Sequence, residues 1–454
     1  MIYNVKVLLE VEGIMIQKLY SAGKGIRLRV CRTEKFKASM LSVSAMLPIE
    51  GAKPWMTSLL LSVLRRGTQR YPDLASINRR LDYLYGAELG LRNFYRGDSQ
   101  IIGLTADMVD ASYLPDAGDS PLEDVLEVMC QILFHPLLDE KGLLLEKYVE
   151  SEKKLQCDHI RSIKSNPRAY AIQRCYGTMF ENEPCGTPIY GTEEQVMAVS
   201  AEELTYHWRQ LVASLAFDCF YVGNSSGDEV AAALQKVLGK EINALAVLPE
   251  QLHRRVVRTA PALRRREESL PVGQGQLVIG LRSGISVGDP DFYACMVFNE
   301  LLGVSPISRL FVNVREKLSL CYHCASTYNF YKGTVTVTCG LENRNRQRAE
   351  EEIFRQLALV AEGAFTDEEL EGAKRSLENG YRQVEDSPGA LENYYYGRSL
   401  VGMEDDLEAC RAEMSSVTRK DVIAAAKKVS PDTVFFLEGT LAGGEEVADE
   451  CDME

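Results

Sequence analysis

Two thiols and an imidazole fall within four residues at Cys321-Tyr322-His323-Cys324, a grouping that could serve redox chemistry or hold a metal. Redox CxxC pairs open a helix behind a strand, where the helix terminus makes one thiol acidic. Here the pair falls at the start of a strand predicted over 321–328, so alternation sends Cys321 and Cys324 to opposite faces. With no second ligand pair nearby, both thiols read as packing residues. The chain has only five histidines, His135, His159, His207, His253 and His323. No two lie within five residues of each other, so a His-x-x-x-His metal site on one helix is excluded. Gly273-Gln274-Gly275-Gln276 lacks the Lys-Ser/Thr of a phosphate loop. Asp386-Ser387-Pro388 reads as a turn that caps a helix, not as a catalytic set. Arg254, Arg255, Arg258, Arg264, Arg265 and Arg266 form a basic stretch. Without interleaved aromatics it reads as a solvated linker.

The elements that must position any chemistry belong to an ordinary globular chain. Its 454 residues are 46% hydrophobic and 26% charged, with a net charge of −14, which disfavours a nucleic-acid surface. No run of apolar residues is long enough to span a bilayer. The N-terminus, with Glu10 and Glu12 and no cationic segment, does not read as a signal peptide. Twelve cysteines in mostly apolar surroundings suggest reduced thiols and a cytoplasmic location. The strongest internal signal is a repeat: Asn93-Phe94-Tyr95-Arg96-Gly97 returns as Asn329-Phe330-Tyr331-Lys332-Gly333, 236 positions later, each before an alternating apolar run. A duplicated domain follows, since self-similarity outweighs a length-based domain count.

In the first half, strands are predicted at 26–32, 38–47 and 217–223, and helices at 55–66, 74–85, 121–134 and 138–163. The second half repeats the plan, with strands at 276–282, 321–328, 333–340 and 433–439. Its helices are predicted at 290–302 and 307–317, with three more between 346 and 430. The pattern is α+β, with helices laid on mostly antiparallel sheets. It divides as 1–240, a linker at 241–262, a second domain at 263–440, and an acidic tail at 441–454 that reads as disordered.

Residues 58–89, SLLLSVLRRGTQRYPDLASINRRLDYLYGAEL, resemble the insulinase/pitrilysin zinc metallopeptidases. In that family a helix carries His-x-x-Glu-His, followed by Gly-Thr and a second helix ending in Gly-Ala. The register set by Gly67-Thr68 and Gly86-Ala87 puts Ser58 and Ser62 at the two histidine positions and Leu61 at the general base. Serine is a poor zinc ligand, and leucine cannot take a proton from water. The third family ligand is a glutamate, which the resemblance places near Glu152; alone it reads as a solvated helix residue. The resemblance runs through 163–208, with Gly186 and Gly191 at a family turn, and FYVGN at 220–224. It implies two tandem homologous domains, no catalytic residue, no metal and no cofactor.

The second half resembles the family's other signature at SRLFVNVREKLSLCYHCAS, where an arginine and a tyrosine seven residues later hold the substrate backbone. Arg315 and Tyr322 occupy those positions. The resemblance implies a non-catalytic subunit that lends this pair to a zinc-bearing paralogue, forming a heterodimer that acts on peptide or protein substrates. Neither nucleic acid nor membrane is expected as a partner. Within the family, the chain most resembles bacterial, chiefly Bacillota, inactive homologues linked to aminopentanol modification of elongation factor P. The alternative is a non-proteolytic scaffold of the same fold, with that same possible link.

Overall fold

The structure, a computed structural model, describes residues 10–11, 14–114, 120–243, 246–249, 251–260, 262–403 and 406–441. The extreme N-terminus and nearly all of the acidic tail read above lie outside these residues. Twelve strands are described: β1 (Glu10–Val11), β2 (Ile14–Ser21), β3 (Ile26–Thr33), β4 (Ala38–Pro48), β5 (Glu88–Arg96), β6 (Ser99–Val109), β7 (Phe217–Gly223), β8 (Arg264–Leu270), β9 (Gly275–Arg282), β10 (His323–Asn329), β11 (Thr334–Leu341) and β12 (Ser430–Gly439). They form a seven-stranded sheet in the order β1-β2-β3-β7-β4-β6-β5 and a five-stranded sheet in the order β10-β11-β9-β12-β8.

The second sheet repeats the first. Reading inward from β5 or from β10, each sheet runs edge strand, hairpin partner, first long strand, closing strand and one parallel neighbour. The parallel pairs are β3 with β7 and β8 with β12, and the other pairings are antiparallel. The repeated pentapeptides form the equivalent hairpin turns, between β5 and β6 and between β10 and β11. Gly97 and Gly333 carry φ of +55° and +63°, a region where a side chain costs energy and glycine does not. At Gly333 an added Cβ would also lie 2.8 Å from the Ile285 carbonyl oxygen.

Chain packing divides the protein into two compact units that are not contiguous in sequence. Unit 1 comprises Met1–Ile160, Thr187–His253 and Arg382–Asp406; unit 2 comprises Arg161–Gly186, Arg254–Tyr381 and Leu407–Glu454. Each half thus gives one helix to the other unit. Pro167–Met179 packs on β9 and β12, and Pro388–Ser399 packs on β7 and β4. The two helices begin alike, with proline at the first helical position, where its missing N–H is no loss. Asn166 caps the first by accepting from the Ala169 N–H at 3.1 Å, and Ser387 caps the second from Ala390 at 3.4 Å. Contiguous domains at 1–240 and 263–440 do not anticipate this exchange.

Burial explains the strand sequences. In unit 2, Leu277, Ile279, Leu281, Val434 and Phe436 join the main core. The alternate residues Val278, Phe435 and Leu437 meet Ala171 and Cys175 of the exchanged helix in a smaller cluster. β9 and β12 are therefore covered on both faces, which is why they read as continuous apolar runs.

Two expectations need correction. Five helices, not three, lie between 346 and 430: Arg346–Ala361, Asp367–Val384, Pro388–Ser399, Leu407–Ser416 and Arg419–Lys428. The arginine stretch is not a solvated linker throughout, since Arg264–Leu270 is strand β8. Arg264 pairs with buried Asp432, Arg265 bonds Glu350 at 2.6 Å, and Arg258 bonds the Gly284 carbonyl at 3.0 Å.

Candidate functional site

Ser58, Leu61 and Ser62, which the resemblance sets at the zinc-site positions, lie on the Pro54–Leu64 helix of unit 1, which is buried along most of its length. The Ser58 hydroxyl lies 3.0 Å from the Pro54 carbonyl and 2.7 Å from the Ile189 carbonyl, and it accepts from Asn93 Nδ2 at 2.8 Å. Gln100 Nε2 donates to Asn93 Oδ1 at 2.8 Å and to Pro54 O at 3.1 Å. Ser62 folds back to the Ser58 carbonyl at 3.4 Å. Leu61 is buried in the main core of the unit. These positions therefore form a satisfied polar network that ties the helix to β5, β6 and the segment around Ile189. Buried polar groups that find partners in this way stabilise a single packing.

Glu152 does not behave as the sequence suggests. It is buried, not solvated, and it pairs with Arg66, whose second nitrogen bonds Ser151 at 3.2 Å. One turn further along the same helix, Gln156 donates to the carbonyls of Trp55 and Tyr190 at 3.2 and 2.9 Å. The family's zinc does not fit this donor set. Two hydroxyls engaged with carbonyl oxygens and a carboxylate neutralised by arginine offer neither the charge nor the open lone pairs that Zn²⁺ requires. His207 is held 2.9 Å from Thr57 Oγ1 of the same helix. Burial, and then the charge of Lys53, hold its pKa below the ordinary histidine value.

Unit 2 carries Arg315 and Tyr322. Arg315 lies on Phe311–Lys317, a stretch wound in the wide π form, and a second such stretch spans Glu300–Val304. π-turns are rare and cluster at functional sites. The Arg315 guanidinium sits 4.7 Å from the Phe311 ring centroid, 3.5 Å from Glu316, and 42% exposed. Ser319, between the two residues, has φ of +47°, which costs energy for a residue with a Cβ. Tyr322 is 55% exposed, its N–H bonds the Gly340 carbonyl at 2.8 Å, and its hydroxyl lies 3.3 Å from Glu342. Both side chains thus present donors to solvent rather than packing into the core.

The cysteine pair also departs from expectation. β10 begins at His323, so Cys321 precedes the strand and escapes its alternation. Cys324 and Cys339 are directly opposed on β10 and β11, and with Cys321 they form a group whose sulfurs all lie within 4.8 Å of one another. Cys321 is the acidic member. Hydrogen bonds from Cys324 and Cys339 lower its pKa, burial opposes them, and His323 and Arg315 add to the lowering. Sequence inspection missed Cys339 because 15 positions separate it from Cys324. Only the pairing of strands that each read clearly could have revealed it.

Comparison with known proteins accords with this site. Residues 198–377 match the family model described as the peptidase M16 inactive domain. A probable inactive metalloprotease of Bacillus subtilis, YmfF, is 28% identical over 426 residues, covering 94% of this chain and 98% of that protein. An uncharacterized zinc protease of the same organism, YmxG, is 25% identical over 70% of this chain and 75% of its own. A crystal structure of a conserved protein from Enterococcus faecalis has a TM-score of 0.84 at 24% identity, covering 95% of this chain and 100% of that one. The peptidase M16 inactive domain from Pseudomonas fluorescens has a TM-score of 0.77 at 17% identity, covering 94% of this chain and 100% of its own. The chain is thus similar along nearly its whole length to a probable inactive metalloprotease, and over residues 198–377 to the peptidase M16 inactive domain.

Proposed function

We propose that this chain is the non-catalytic subunit of a two-chain zinc peptidase, in which Arg315 and Tyr322 bind the substrate backbone opposite the metal of a zinc-bearing paralogue. The observation that carries this reading is the contrast between the two sites. The Ser58 position is closed by a satisfied network, while the arginine stays exposed on a π-wound stretch and the tyrosine stays exposed beyond Ser319, whose φ is positive. Guanidinium offers a rigid fork of donors to a carbonyl, and a phenol offers one more. In the assembled pair they would stabilise the oxygen that gains charge as the partner's activated water attacks. The substrate would be a peptide or protein, and the compartment the cytoplasm.

A second reading is a non-proteolytic scaffold that serves elongation factor P modification. It draws on the local partners already present, Glu316 and Phe311 for Arg315 and Glu342 for Tyr322. Co-purification with partner identification, followed by reconstitution, separates the two. Alone, the chain should cleave no peptide; with its partner, peptidase activity should rise. Losing one oxyanion donor costs roughly 10²–10³ in rate, so Tyr322→Phe should lower turnover sharply without loss of assembly. Arg315→Ala should weaken substrate capture as well. Full activity in both variants would favour the scaffold.

A further inference from the structure

The zinc-peptidase relationship leaves the three-cysteine cluster of unit 2 without a role. Its members come from two elements and from the segment before them, yet their sulfurs converge within 4.8 Å. Cys324 and Cys339 are paired across an antiparallel ladder, which puts their side chains on one face. Cys321 reaches them because it lies outside the strand. Cys324 and Cys339 are buried, and Cys321 is partly exposed, so the group has a protected floor and an opening to solvent.

Three thiolates around one ion at about 2.3 Å stand roughly 4 Å apart, so the sulfurs need only a small contraction to share a metal. Among the described residues no carboxylate or imidazole completes the cluster. All-sulfur donors disfavour magnesium, calcium and manganese, and they suit soft ions. Structural zinc fills four positions with protein ligands, one more than this site provides. The other candidate cluster, Cys130 with His135 and Glu241, carries less, because its imidazole and carboxylate already pair at 3.0 Å.

We propose that Cys321, Cys324 and Cys339 form a three-thiolate binding site for a copper(I) ion. Binding forms three sulfur–copper bonds and releases to solvent whatever thiol protons remain, with no change of oxidation state. Because residue 322 lies between two of the ligands, the ion would cross-link the segment bearing Tyr322 to the β10–β11 hairpin.

The test uses the full-length, reduced protein under anaerobic conditions, titrated with copper(I) against bicinchoninate and, in parallel, with zinc against a chromophoric chelator. One equivalent of copper(I) should leave the competitor, with near-ultraviolet sulfur-to-copper absorption and protection of these three cysteines from alkylation. Cys321→Ser, at the least buried ligand, should abolish that stoichiometric step while leaving the circular dichroism spectrum unchanged. Cys339→Ala should abolish it too, and Cys185→Ser, outside the cluster, should retain it. The proposal is overturned if copper(I) is not taken up, if uptake survives Cys321→Ser, or if zinc binds at one equivalent in preference to copper(I). A disulfide between two of the three that leaves the protein unable to take up copper after reduction would also overturn it.

Discussion

The two exchanged helices lie on corresponding strands of the two sheets, but they meet different groups at mid-helix, although the end of the unit 2 helix also meets buried charge where Arg282 donates to the Met179 carbonyl at 2.7 Å. In unit 2 the Pro167–Met179 helix rests on Val278, Phe435 and Leu437. In unit 1 the Pro388–Ser399 helix rests on a polar floor. Its buried Glu392 takes a 2.9 Å ion pair from buried Arg92 and a 2.8 Å hydrogen bond from Ser42. Arg92 in turn stacks 5.0 Å from the Tyr396 ring centroid. An apolar seat holds a helix by area and tolerates small shifts. A buried ion pair holds it in one register, and half of such a pair is worse than none. The repeated pentapeptides serve the same exchange. Arg96 bonds Asn393 of one incoming helix, and Lys332 pairs with buried Glu183, just beyond the other, at 2.8 Å. One duplicated framework has thus been fastened in two ways.

The sharpest way to break the comparison is to remove one charge. Glu392→Ala should destabilise the protein by about 3–5 kcal/mol, because it strands Arg92 in the interior. Urea unfolding would show it. The double variant Arg92→Met, Glu392→Leu should recover most of that loss, since two apolar groups need no partner. If the double variant is as unstable as the single, the polar seat contributes net stability and not only register. In unit 2, Leu437→Ala should cost about 2–5 kcal/mol by leaving a cavity under the exchanged helix, and no second substitution of opposite charge should rescue it.

Next in size is the Ser58 network. Ser58→Ala removes the acceptor of Asn93 and should cost about 1–3 kcal/mol for the unsatisfied amide. An unchanged midpoint would mean that the network is incidental rather than what holds the Pro54–Leu64 helix to β5.

These features differ in how openly the chain displays them. The central strands were legible because β4, β7, β9 and β12 carry apolar runs and because a glycine ends each repeated pentapeptide, whereas β2 and β8 were not anticipated, β8 lying in the arginine stretch. The resemblance that sets Ser58, Ser62 and Leu61 at the family's ligand and base positions was legible because Gly67-Thr68 and Gly86-Ala87 fix its register. The helix exchange was not legible: Pro167–Met179 and Pro388–Ser399 show which face is apolar but not which sheet it will cover. Glu152 misled for a related reason, because its partner Arg66 sits 86 positions away and a lone helix carboxylate reads as solvated. The strand edge at His323 misled most. A shift of two residues from the predicted start turned Cys321 from a packing thiol on the face opposite Cys324 into part of a cluster.

Titration of His207 offers a gentler probe of unit 1. Burial keeps its folded pKa below 6.5, so the unfolded chain takes up a proton first as pH falls. Stability should therefore be fully present above about pH 6.5 and decline below it as the solution acidifies. Melting temperature measured from pH 7.5 to 5 should fall less steeply in His207→Gln than in the parent. Equal slopes would assign the acid sensitivity to other groups.

The smallest effect belongs to Tyr322, and its smallness is what makes it useful. More than half of the side chain is exposed, and its hydroxyl reaches Glu342 only at 3.3 Å. Phenylalanine keeps the ring and removes one weakly engaged donor. Tyr322→Phe should therefore shift unfolding by less than about 0.5 kcal/mol, as surface changes away from special features do. A larger loss would mean that the hydroxyl anchors the segment before β10 and that its exposure is no sign of substrate binding. A negligible loss, beside a sharp fall in turnover in the reconstituted pair, would place the hydroxyl's role in substrate contact rather than in folding. The contrast with Ser58 would then be complete: one polar side chain retained for its hold on the fold, the other for what it offers outward.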